Sequence, residues 1–161
     1  KTGKVALQFF AIFIDAAVPT EEKWRYALEQ IELFHREVIG KHPNMKHIKN
    51  WADIRRLKQD EIGAVLTLEG AEAFGNDLNK LNLLYELGIL SIGLAWNDAN
   101  LCIDGAEEPR GAGLTRLGRQ VIQLQTFPMR VNKAFGTSWN MPNILLRVIP
   151  MPGLYVIILG I

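Results

Sequence analysis

The chain has a single cysteine, Cys102, three histidines, and neither a CxxC pair nor an HExxH sequence. One cysteine excludes an internal disulfide and favours a reducing compartment. A closed zinc site takes about four ligands and a catalytic one about three, and no local cluster here supplies them. Charge of one sign is also missing: 18 Lys and Arg face 17 Asp and Glu, for a net charge of +1. No field of that kind draws nucleic acid or an anionic membrane surface. The apolar runs fall well short of the ~20 residues of a membrane-spanning helix. Gly111-Ala112-Gly113 follows no strand and lacks the spacing of a phosphate loop.

What remains is an ordinary globular composition. The 161 residues, 48% hydrophobic and 22% charged, suffice for one domain with a core. The sequence begins at Lys1 rather than methionine and enters an apolar run almost at once. The expectation from this is an internal fragment whose upstream part is missing.

Residues 5–14 (VALQFFAIFI) read as a buried strand, rich in β-branched and aromatic side chains. Thr20 followed by Glu21 and Glu22 marks a helix start, and Trp24, Ala27, Leu28, Ile31, Phe34, His35 and Val38 fall on one stripe. Gly40 and Pro43 end it. Residues 52–58 form a short helix with Asn50 or Asp53 near its cap. Residues 62–68 (IGAVLTL) have the pattern of a strand covered on both faces. Residues 76–87 are the next helix, stopped by Gly88, and residues 89–95 (ILSIGLA) the next strand. A long loop, 97–113, leads to a helix from about Thr115. This alternation implies parallel strands with right-handed helical crossovers. About three strands do not complete a sheet, so the reading is α/β, a piece of a larger fold.

In such folds chemistry gathers at the carboxyl ends of strands. Glu69 follows one of these strands directly, with Gly70 beside it to let the backbone turn. A carboxylate there is either bound to a partner or metal, or simply solvated at the strand end. Trp96 and Asn97 follow the next strand. Trp96 either walls a pocket or packs under the loop; Asn97 either meets a ligand or caps the turn. Asp98 and Asp104 read as solvated loop aspartates. His35 sits at the edge of a helical stripe, His42 and His47 in a polar, exposed turn, and Cys102 is a quiet thiol.

Several stretches, in order, carry a resemblance. Ala27-Leu28-Glu29-Gln30-Ile31-Glu32 with His35-Arg36, then Ala52-Asp53-Ile54, Leu68-Glu69-Gly70, Leu84-Tyr85-Glu86-Leu87-Gly88-Ile89, Leu94-Ala95-Trp96-Asn97 and Gly113-Leu114-Thr115-Arg116-Leu117-Gly118 are similar to successive motifs of the membrane (renal) dipeptidase family, especially its bacterial members. Each motif is short, and the order and spacing give the specificity. The resemblance covers roughly residues 3–124. It implies a partial (β/α)8 TIM-type barrel, a dinuclear zinc hydrolase of dipeptides, and a cytoplasmic setting of the bacterial kind. A homodimer is compatible with it. It also implies that Glu69 is the metal-bridging, catalytic carboxylate, with Trp96 and Asn97 at the substrate. Some members have a histidine where Trp96 stands, and an indole cannot act as that imidazole.

The departures limit what this chain does alone. The family's first His-x-Asp ligand pair falls before Lys1, and its later histidine and arginine motifs are missing after Leu124. Residues 125–161 resemble nothing in the family. Reading the third base of each codon with the first two of the next, from Gln125, can give Asp-Val-Ser-His, and from Leu146 Ala-Ser-His-Ser-Asn-Ala-Arg. One constant frame thus restores both motifs. The expectation is a dipeptidase-like region, 1–124, and a poorly ordered, out-of-frame tail, 125–161, although its β-branched end also permits a true terminal strand. On this reading the isolated chain binds zinc weakly and cleaves no dipeptide. A non-catalytic barrel-derived module and a different metal-dependent amidohydrolase stand as alternatives.

Overall fold

A computed structural model describes residues 5–105, 107–108, 111, 113–126, 147–151 and 154–158. Chain contacts divide it into two units, Lys1–Leu94 and Ala95–Ile161.

The first unit is built on four parallel strands: β1 (Leu7–Phe13), β2 (Met45–Ile48), β3 (Ile62–Glu69) and β4 (Ile89–Gly93). β3 is the hub. β1 pairs with it along its whole length, from Leu7 opposite Gly63 to Phe13 opposite Glu69. Its other edge is shared. β2 takes Ile62–Val65, and β4 takes Leu66–Glu69 with one register shift between Leu66 and Thr67, the mark of an extra residue in β4. Ala64, Val65, Leu66 and Leu68 of β3 are buried, as a strand covered on both faces requires.

Two readings of the strands need correction. The sheet has four described parallel strands rather than about three, because Met45–Ile48 (MKHI) is short and half basic and shows no apolar run. β1 is not buried throughout: Ile12 is, but Phe9 is 59% exposed. β3 occupies one edge of β1, so apolar composition alone did not mean cover on every side.

Helices link the strands. α1 (Lys23–Leu33) buries Ala27 and Ile31 and passes into a π-helical turn, Phe34–Ile39, where Gly40 N–H donates to His35 O at 2.8 Å. Glu22, not Thr20, is its N-cap, without a side-chain cap bond. α2 (Trp51–Arg56) starts with a reciprocal capping box: the Asn50 side chain accepts from Asp53 N–H, and Asp53 accepts from Asn50 N–H. α3 (Leu78–Glu86) is capped by Asp77 and buries Leu81 and Leu84. It ends at Gly88, whose φ of +99° is a backbone state that a side chain resists.

In the second unit, α4 (Arg116–Thr126) begins where Thr115 Oγ1 accepts from Gly118 N–H at 3.1 Å. The helix runs through Leu124, where the sequence reading drew its boundary. Within residues 125–161, strands β5 (Arg147–Met151) and β6 (Leu154–Ile158) pair antiparallel. Residues 127–146, also part of the tail expected to be poorly ordered, lie outside the described residues.

Candidate functional site

Glu69 is the last residue of β3, half-buried, opposite Phe13 of β1 and Gly93 of β4. The chain turns at once. Gly70, at φ +93°, donates its N–H to Gly93 O at 2.9 Å, and Ala71 N–H donates to Leu94 O at 3.1 Å. A Cβ at Gly70 would strike the carboxylate of Glu72. Two carboxylates therefore stand within one tight turn at the carboxyl end of the central strand. The sequence reading named Glu69 and passed over Glu72, although the string Glu69-Gly70-Ala71-Glu72 was its signal. Behind them Ala71, Ala73 and Phe74 are buried, with Phe74 1% exposed, so the turn is anchored by apolar packing.

Gln30 of α1 was also missed as a functional candidate. Its amide bonds both main-chain groups of Phe13, the residue opposite Glu69. Nothing in the helical pattern shows that a polar residue of α1 reaches the sheet.

Trp96 and Asn97 belong to the second unit, in the loop that opens it. Both are half-buried. Asn97 O accepts from Glu107 N–H at 2.9 Å, while its Oδ1 is shielded from solvent without a hydrogen-bond partner among the described residues. The rest of the loop is tied to itself. Asn100 Oδ1 accepts from the N–H groups of Cys102 and Ile103, and Asp104 accepts from Gly113 N–H at 3.2 Å. Asp98 is exposed and Cys102 fully buried.

The histidines depart from expectation at one position. His42 is exposed, but His47 lies half-buried in β2. Its ring meets Phe34 and His35 edge to face, each with centroids 5.0 Å apart, and its Nε2 is 3.3 Å from Gly88 O. Burial disfavours the imidazolium and outweighs the bond to Gly88 O, so the pKa falls to about 4 from 6.5. This cluster lies at the amino end of the sheet, away from Glu69.

The donor set falls short of a metal centre. Among the described residues no three His, Cys, Asp or Glu side chains come together, whereas a catalytic zinc takes about three protein ligands. Glu69 and its turn present carboxylate oxygen alone. No helix among the described residues is long and apolar enough to cross a membrane.

Residues 1–127 match the model of the membrane dipeptidase family, peptidase family M19. Dipeptidase 3 of Rattus norvegicus is 24% identical over 129 residues, covering 76% of this chain and 26% of the rat protein. Among solved structures, dipeptidase AC, a metallopeptidase, superposes with a TM-score of 0.65 at 26% identity over 74% of this chain and 40% of its own. A Rhodobacter sphaeroides metallopeptidase, solved with a phosphinate mimic of the dipeptide L-Ala-D-Ala, gives 0.64 at 22% identity over 72% and 42%. The chain spans about a third or less of the length of the curated relatives it matches.

Proposed function

From the premise that this chain belongs to the membrane dipeptidase family, we propose that it is part of a zinc-dependent dipeptidase built on a (β/α)8 barrel, with Glu69 as its metal-binding carboxylate. One observation carries the reading: the family match runs through residues 1–127, and within it Glu69 ends the central strand, beside a glycine in a left-handed turn. That is where a barrel of parallel strands places its chemistry. The family match and the dipeptide mimic held by the Rhodobacter relative support dipeptides as the substrate class.

On this reading Glu69 acts as a ligand, and Trp96 and Asn97 contact the substrate. The shielded Oδ1 of Asn97, without a hydrogen-bond partner among the described residues, is suited to an amide or ammonium donor. The described residues alone do not make the metal centre, so no catalytic step is assigned to this chain. The glycine turn ties the end of β3 to that of β4 through the Gly70 N–H bond to Gly93 O.

The test is a pair of assays. The 161-residue protein, given zinc and an alanyl dipeptide, releases no amino acid. A family-length protein carrying these residues hydrolyses the dipeptide with zinc and loses that activity in Glu69→Gln. Full turnover by the Glu69→Gln enzyme would remove Glu69 from the centre.

We further propose that residues 125–161 are read out of frame. The encoding DNA from Thr115 onward decides this. Third bases that spell Asp-Val-Ser-His and Ser-His-Ser-Asn-Ala-Arg in the shifted frame support it, and any other set rules it out.

A further inference from the structure

Gln30 is a polar residue of α1 whose side chain reaches the sheet. Phe13 N–H donates to Gln30 Oε1 at 3.0 Å, and Gln30 Nε2 donates to Phe13 O at 2.6 Å. A neighbouring strand would make this same pair of bonds, so the carboxamide stands in for one. Consecutive residues of a strand turn their main-chain groups to alternate edges. Ala6 O accepts from Gly63 N–H, so Ala6 faces β3, and by alternation Gln8, Phe10 and Ile12 do too. Phe13 faces the outer edge, where Gln30 meets it. On β3 the same alternation turns Gly63, Val65, Thr67 and Glu69 toward β1. Gly70 N–H, which donates to Gly93 O, turns the other way as required.

We propose that Gln30 is a positioning residue for Glu69. Its amide clamp fixes the last residue of β1, and the backbone of Glu69 is laddered against that end of β1. The clamp also closes the outer edge of β1 at Phe13, so that any further strand joining this edge pairs only with residues before it. The inference rests on the reading of Glu69 as the working carboxylate.

The chemistry demands this side chain. The site is part-buried and asks for one acceptor and one donor on the same planar group, which an amide supplies. A leucine would leave two main-chain groups without partners. A glutamate carboxylate offers acceptors only and sets an anion against Phe13 O. A protonated glutamic acid again carries one donor and one acceptor.

That last point provides the experiment. Amide hydrogen exchange is read by NMR on the 161-residue protein, without metal or substrate. In Gln30→Leu, the amides of Phe13 and Glu69 exchange about ten-fold faster or more, the effect of two lost bonds. Ile48 and Ala64, at the other end of the sheet, keep their rates. In Gln30→Glu, exchange corrected for its intrinsic pH dependence slows again as pH falls through the glutamate range. Faster exchange at Phe13 with Glu69 unchanged would confine the clamp to β1 and overturn the proposal. So would an even loss of protection across β1 and β3, or a Gln30→Glu protein indifferent to pH. If Gln30→Leu does not fold, the Gln30→Glu titration alone decides. None of these rates depends on zinc or dipeptide, so failure of the dipeptidase reading would leave them as they are.

Discussion

At its amino end β3 is packed on both sides by rings and aliphatic chains: Ile48 of β2 is fully buried, and His47 lies against Phe34, His35 and the backbone of Gly88. At its carboxyl end the same strand finishes in Glu69, a left-handed glycine and Glu72, with the neighbouring strand end held by a side-chain amide. The first arrangement removes apolar surface from water and gains by it. The second leaves its two carboxylates half-buried, beside a strand end held by a part-buried amide. On the proposed reading of Glu69, one strand carries stability at one end and reactivity at the other, the division expected of parallel sheets closed by helices.

Removing the shared middle should have the largest effect. Leu66→Ala, at a fully buried position where the edge of β3 passes from β2 to β4, is expected to destabilise the protein by about 2–5 kcal/mol, read from urea unfolding. A loss below about 1 kcal/mol would mean that the two ends do not share one core.

Gly88→Ala strikes the amino end alone. The new Cβ meets a φ of +99° and the His47 ring together, so the expected cost is about 1–3 kcal/mol. A double mutant with His47→Ala should recover part of that cost, and strict additivity would argue that the ring and the glycine do not meet.

The pH response sharpens the same end. With His47 at about 4 in the fold and 6.5 as its ordinary value, the unfolded chain binds the extra proton first. The contribution of neutral His47 is complete above about 6.5, declines as pH falls, and is lost on passing about 4. His35 and Lys49 repel the imidazolium, while Asp53 and Gly88 O attract it, and burial outweighs both attractions. His47→Phe should flatten the urea midpoint between those two pH values. An unchanged slope would assign the acid sensitivity to other groups.

Glu69→Gln should have the smallest effect on folding, about 0.5 kcal/mol or less, because a half-buried strand-end carboxylate is replaced by a near isostere. Calorimetry comparing the two proteins would show it. A large loss would make Glu69 a structural residue and erase the contrast between the ends.

Much of this was legible beforehand, for physical reasons. The unbroken apolar run of β3 announced a strand covered on two faces, and the abrupt change to Glu69-Gly70 marked its carboxyl end and the turn that follows. Asn50 and Asp53 have the spacing of a reciprocal cap, and Gly88 stops a helix as glycines do. What stayed hidden depended on distant partners. β2 has only four residues, two of them basic, and becomes a strand because β3 offers it an edge. His47 is drawn into cover by Phe34, which lies a helix away. Gln30 sits in an ordinary helical pattern, and only the fold shows that its amide completes a strand. Phe9 is as apolar as its neighbours, yet exposure at an edge is not written in composition.

The divided edge of β3 has a kinetic consequence. β2 and β4 are its near neighbours along the chain and close short loops, whereas β1 is separated from it by a helix, a strand and a second helix. Short closures cost less chain entropy and form earlier. The expected order is β2 and β4 onto β3 in the rate-limiting assembly, with β1 docking afterwards along the opposite edge. Substitutions in β4 such as Ile92→Val should then slow refolding, while Ile12→Val in β1 should mainly hasten unfolding; the reverse pattern would place β1 in the nucleus. Glu69, laddered to that late strand, would acquire its final position last, so that the carboxyl end of the sheet matures only after the amino end has formed.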